Sequence, residues 1–183
     1  MIWLIILLAI VLLVVVALVL FYNNLVRLRN RVDNSWAQIE VQLKRRWDLI
    51  PNLVETVKGY AAHERETFEA VTQARARAQQ AQTPGETAAA EGILGAALGR
   101  LFAVAEAYPE LQADENFRQL QDELAQTENR IATSRQVYND AVLTYNNAIQ
   151  TFPGAVLAGP FGFAAREFFE TDEAQREVPV VDF

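Results

Sequence analysis

The sequence predicts an all-α protein: an N-terminal transmembrane helix followed by an up-down antiparallel helical bundle of three long helices plus a short C-terminal helical segment. Three observations predict it. The first 21 residues carry no charge, and all 16 basic and 23 acidic residues follow them. Beyond them, apolar residues recur at steps of three and four, with no long stretch of period-two alternation. Proline and glycine punctuate the chain at only a few points and leave long unbroken segments between them.

The opening run, Ile2 to Phe21, would span roughly 30 Å as a helix, the hydrocarbon thickness of a bilayer. A single segment in lipid satisfies its backbone only as a helix. A cleaved signal peptide needs a basic start and a small-x-small cleavage site. The first cation is Arg27, and VALVLFYN offers no such site. Residues 1–21 are therefore read as an anchor. Arg27, Arg29 and Arg31 follow it closely, with Lys44, Arg45 and Arg46 further on. The positive-inside bias places the following domain in the cytoplasm and the N-terminus outside.

A long helix is predicted over about 22–82. Leu25, Val32, Ile39 and Leu53 mark one seam position; Trp36, Leu43, Ile50 and Val57 mark the other. Pro51 interrupts this helix, and a kink or break is expected near Trp47–Ile50. Thr83-Pro84-Gly85-Glu86 carries a capping box and an early proline, so a second helix starts there and runs to about 107. It is rich in Ala and Gly, and Tyr108-Pro109 ends it. The third helix, about 114–152, steps regularly through Phe117, Leu120, Leu124, Thr127, Ile131 and onward to Tyr145. Pro153-Gly154 stops it. After an apolar Gly/Pro-broken loop, a short helix is expected over about 163–170 and an extended tail over 171–183. Val156, Leu157, Phe161, Phe163, Phe168 and Phe169 are too apolar to be left in water and are expected to pack on the bundle or on a neighbouring copy.

Catalytic chemistry has little to work with. The single His, His63, is followed by Glu64, but the second ligand position of a helical zinc motif is Thr67. One His and no Cys exclude the di-iron bundle pattern, disulfides, thiol chemistry and lipoprotein attachment. No phosphate-binding glycine motif is present. A net charge of −7 and a pI near 4.8 argue against nucleic acid as a partner. No catalytic residue, cofactor or metal is assigned. The one unusual cluster is residues 42–53, QLKRRWDLIPNL, where Arg46 takes a seam position suited to Leu. Arg45, Arg46, Asp48 and Pro51 are read as an interaction surface, or as a place where an arginine pairs with an acid on a neighbouring helix and fixes register. Tyr138-Asn139 and Tyr145-Asn146 form a second repeated pattern.

These segments resemble the LemA family of bacterial membrane proteins. The resemblance runs through YNNLVRLRNRVDNSWAQIEVQLKRRWDLIPNLVETVKGYAAHE, AEAYPELQADENFRQLQDELAQTENRI and RQVYNDAVLTYNNAIQTFP with the following GF. The Ala/Gly-rich second helix departs from the family pattern. The resemblance implies a short extramembrane N-terminus, one pass through the bacterial inner membrane and a helical domain. It brings no catalytic residue. Its motif positions, Arg45, Arg46, Asp48, Pro51, Tyr138, Asn139, Tyr145 and Asn146, with Phe161 and Phe163 in the apolar loop, have structural or interaction roles only. The long seams and the apolar loop point to a non-catalytic scaffold that self-assembles into a homo-oligomer on the bilayer. The alternative is a tethered adaptor that recruits a membrane protein partner, such as a protease or sensor, in envelope stress.

Overall fold

The computed structural model describes residues 2–170 of the chain. Among these residues there are six helices and no strand: α1 Ile2–Tyr60, α2 Arg65–Gln80, α3 Pro84–Glu106, α4 Pro109–Ala113, α5 Glu115–Gln150 and α6 Gly154–Ala158. The protein is all-α, with an apolar N-terminal helix and a helical bundle, as the sequence predicts. The expected tail, 171–183, lies outside the described residues. The described chain forms two compact units. One comprises residues 2–37 and 137–166; the other comprises 38–136 and 167–170.

In the first unit, residues 2–20 of α1 are exposed on every side, although nearly all are large and apolar. A helix of this length that is apolar all round and packs on nothing among the described residues is at home in lipid. From Leu25 onward α1 acquires a buried side, with Leu25, Val32 and Ser35 covered. The C-terminal part of α5 runs antiparallel to it and buries Tyr138, Ala141, Val142, Tyr145 and Ile149. The rings of Trp36 and Tyr138 meet at 5.3 Å. Gly154 opens α6 where a Cβ would collide with the Ala148 carbonyl and approach the Phe21 ring to 3.4 Å. Gly162 takes the left-handed conformation, φ 70°, that turns the chain after α6.

In the second unit, α1, α2, α3 and α5 enclose a core that includes Ile50, Leu53, Val57, Phe68, Val71, Leu94, Leu98, Leu101, Phe117 and Leu124. α3 begins with the predicted capping box. The Glu86 amide donates to Thr83 Oγ1, and the Thr83 amide donates to the Glu86 carboxylate, each at 3.2 Å. α3 is apolar and long enough to cross a membrane, but it buries Leu94, Leu98 and Leu101 in this core.

Three expectations are corrected. The helix expected over 22–82 is interrupted, but not at Pro51; α1 continues through Pro51 to Tyr60. Proline deprives the carbonyl four residues back of its donor. That carbonyl is Trp47 O, and Arg75 Nε on α2 donates to it at 2.7 Å. A tertiary hydrogen bond thus replaces the missing helical one. The chain reverses instead at 61–64, just past Gly59. There the Glu64 amide bonds to the Ala61 carbonyl, and the reversal brings Phe68, Val71, Ala74 and Ala78 of α2 onto the core. Between α3 and α5 the short α4 intervenes, opened by Pro109.

The third correction concerns 163–170, which is not helical; the short helix is α6, before it. Side chains of α5 take the backbone groups that a helix would have paired. Tyr145 Oη donates to the Ala164 carbonyl at 3.0 Å. Asn146 Nδ2 donates to the Arg166 carbonyl and its Oδ1 accepts from the Arg166 amide, both at 2.9 Å. These bonds satisfy three backbone groups of a segment that forms no helix.

Candidate interaction site around a buried arginine

Arg46 sits in the second unit with a side chain only 7% exposed. The spacing that buries Leu43, Ile50 and Leu53 also turns position 46 inward. A buried guanidinium requires counter-charges, and two helices supply them. Nη1 donates to Glu91 Oε2 of α3, whose side chain is 6% exposed. Nη2 lies 2.6 Å from Glu128 Oε1 of α5, which is 43% exposed. The second oxygen of Glu91 accepts from the Trp47 indole Nε1 at 2.7 Å. One guanidinium therefore ties α1 to α3 and α5, and Arg75 ties α2 to α1 at the next residue, Trp47.

Two carboxylates share one cation here. Partial burial pushes the Glu128 carboxyl above the usual carboxylate range. Arg46 opposes that shift, while Glu91 adds to it. Arg45 and Asp48 play lesser parts: Arg45 lies 3.8 Å from Glu123 and Asp48 lies 3.9 Å from Lys44, all substantially exposed to solvent. Pro51 is exposed on α1. A cleft of about 450 Å³ opens beside the cluster, lined by Arg46, Gly95, Gly99, Phe102, Leu124 and Glu128 among others. Chemically, the cluster is a structural tie: both carboxylates are engaged by the one guanidinium.

The other expected positions fall in the first unit. Tyr138 is buried against Trp36, and Asn139 is half-buried on α5. Tyr145 and Asn146 hold the segment after α6, as described. Phe163 is buried, with its ring 5.6 Å from Tyr22 and 5.3 Å from the Arg29 guanidinium. Phe161 lies edge-on to Tyr22 at 5.1 Å yet remains exposed. Arg166 closes the segment with an ion pair to Asp33 at 2.8 Å. Of the apolar side chains expected to pack, Leu157, Phe163 and Phe169 are buried and Phe168 is half-buried, whereas Val156 and Phe161 are not covered.

Sequence reasoning missed Glu91, Glu128 and Arg75. Glu91 did carry a signal: Thr87, Glu91, Leu94, Leu98, Leu101 and Ala105 step by four and three along the buried face of α3. An acid on such a face requires a buried cation, and Arg46 was the complementary anomaly on α1. Glu128 and Arg75 carried none, because both lie among other polar residues on their helices.

The LemA family model matches residues 35–183. Two magnetosome proteins of Paramagnetospirillum magneticum, MamQ 1 and MamQ 2, are each 28% identical to the chain, over 90% of it and 70% of their own length. MamQ of Magnetospirillum gryphiswaldense is 29% identical over the same shares.

Proposed function

The chain belongs to the LemA family, and from that premise we propose that it is a non-catalytic scaffold, anchored by α1 in the bacterial inner membrane, whose copies assemble laterally. The observation that carries self-assembly is the outward face of α3. Ala89, Gly92, Ile93, Ala96, Gly99 and Ala103 are all exposed, Ile93 by 50%, and no outward charge occurs between Glu86 and Arg100. A helix facing water normally carries polar residues there. Small residues at steps of four and three (Gly92, Ala96, Gly99, Ala103) allow a second helix to approach closely. Confinement to a bilayer raises the effective concentration of copies for such a contact. The Arg46 cluster supports a structural role, because its charged groups are engaged in tying helices together. The relatives' name, magnetosome protein, favours a role at a membrane.

Arg27, Arg29 and Arg31 after the anchor favour a cytoplasmic domain, which protease protection of oriented vesicles checks. Assembly is tested by mass measurement of the full chain in mild detergent or lipid nanodiscs, together with crosslinking in cells. Multimers that Ile93→Glu disperses are expected; a monomer at every concentration overturns the reading. Crosslinks to one dominant foreign protein, without homotypic ladders, would instead establish the adaptor role.

A further inference from the structure

We propose that the charge-free segment 151–165 is a second membrane contact, bedded in the leaflet from which the anchor emerges. It goes beyond the scaffold reading but rests on α1 being an anchor. Four observations carry it.

First, residues 141–165 contain no Asp, Glu, Lys or Arg, and neither do residues 2–26. The two longest charge-free stretches of the chain meet in the same unit. Second, they meet where the anchor ends. Phe21, the last residue of the apolar run, approaches Gly154 at the start of α6, and Tyr22 contacts the rings of Phe161 and Phe163. An anchor that ends at Phe21 therefore sets α6 and the following turn at the level of the lipid–water boundary. Aromatic rings with one apolar and one wet side favour that level.

Third, the segment is divided into an inner and an outer side. Leu157 and Phe163 are buried, whereas Phe152 is 85% exposed, Val156 63% and Phe161 55%. A loop on a water-facing surface exposes polar side chains; this one exposes two of its three phenylalanines. Fourth, a cation stands at its edge: the Arg29 guanidinium lies over the Phe163 ring, a position suited to a lipid phosphate, while Arg166, which follows the segment directly, is paired with Asp33. The occupant of this surface is the bilayer rather than a second copy, because the surface continues the apolar face of the anchor itself.

The chain has no Cys, so single reporters can be placed without altering a background. Val156→Cys in the segment, Val14→Cys in the anchor and Gln79→Cys on the exposed face of α2 each receive an environment-sensitive fluorophore. The full-length protein is then reconstituted in phosphatidylcholine–phosphatidylglycerol vesicles with nitroxides on the upper acyl chains. The expected result is a blue-shifted emission at Val156 and lipid quenching several-fold above that at Gln79. Quenching at Val14 with none at Val156 overturns the proposal and leaves the anchor intact. Blue shift at Val156 without lipid quenching, accompanied by energy transfer between differently labelled copies, assigns the surface to a second copy and also overturns it. Absence of quenching at Val14 overturns the anchor reading and this proposal together.

Discussion

Arg46 occupies a position where the heptad-like spacing suits an aliphatic side chain, and it is almost fully buried with Glu91 as its neighbour. Removing one member of a buried ion pair leaves the other charge uncompensated, at a cost of about 3–5 kcal/mol. Arg46→Met is therefore expected to lower thermal stability sharply. The double variant Arg46→Met with Glu91→Met is expected to recover most of the loss, because the remaining acid, Glu128, is 43% exposed and keeps contact with water. Trp47→Phe removes a hydrogen bond to a charged acceptor, about 1.5–3 kcal/mol by chemical denaturation.

Titration at the residue scale runs in two directions. The Phe117 amide, foremost, holds the Asp114 carboxyl below its usual range, helped by Tyr60. Its folded pKa is depressed, so its stabilisation is full at neutral pH and fades as pH falls through that lowered value. Asp114→Ala should destabilise at neutral pH, with the gap from wild type closing on acidification, as melting curves across pH would show. Glu128 runs the other way. Its raised pKa means that acidification relieves a cost, and Glu128→Gln should remove that contribution.

Helix continuity is an element-scale property with a tertiary cause. Pro51 removes one backbone donor from α1, and Arg75 of α2 supplies a substitute to Trp47 O. Arg75→Met is expected to leave that carbonyl unsatisfied and to cost about 1–3 kcal/mol. In a Pro51→Ala background the helical bond returns, so the same substitution should cost far less. A double-mutant cycle by chemical denaturation measures the difference; equal costs in both backgrounds would refute the compensation. At the start of α3, Thr83→Ala removes the capping box and should cost about 1 kcal/mol.

At the scale of the whole molecule, the apolar run of α1 dominates behaviour. A cation near its middle, as in Val14→Arg, is expected to weaken insertion by about 2.5–3.5 kcal/mol. The wild-type chain should stay with membranes through alkaline carbonate washing, and the variant should be extracted more readily. The fold class was legible at this scale because solvation is additive along a chain: a charge-free run marks lipid, and a three-four periodicity marks a helix with one buried face. The buried cluster was half legible. Arg46 was visible as a charge on a seam, but its partner stands 45 residues away on another helix, and periodicity within one helix does not report the rotation of its neighbour.

The sequence by itself determined the all-α class, the buried seams of α1 and α5, the capping of α3 and the apolar run of α1, because each depends on residues within a few turns of one another. The tertiary structure alone decided that α1 continues through Pro51, that the chain reverses at 61–64, that 163–170 forms no helix, and that Glu91 and Glu128 share Arg46. The reversal turns on α2 packing its apolar face on the core, and the other three on a hydrogen bond or charge supplied from a distant part of the chain. A backbone group or a buried ion settles where it finds a partner, and only packing brings that partner within reach.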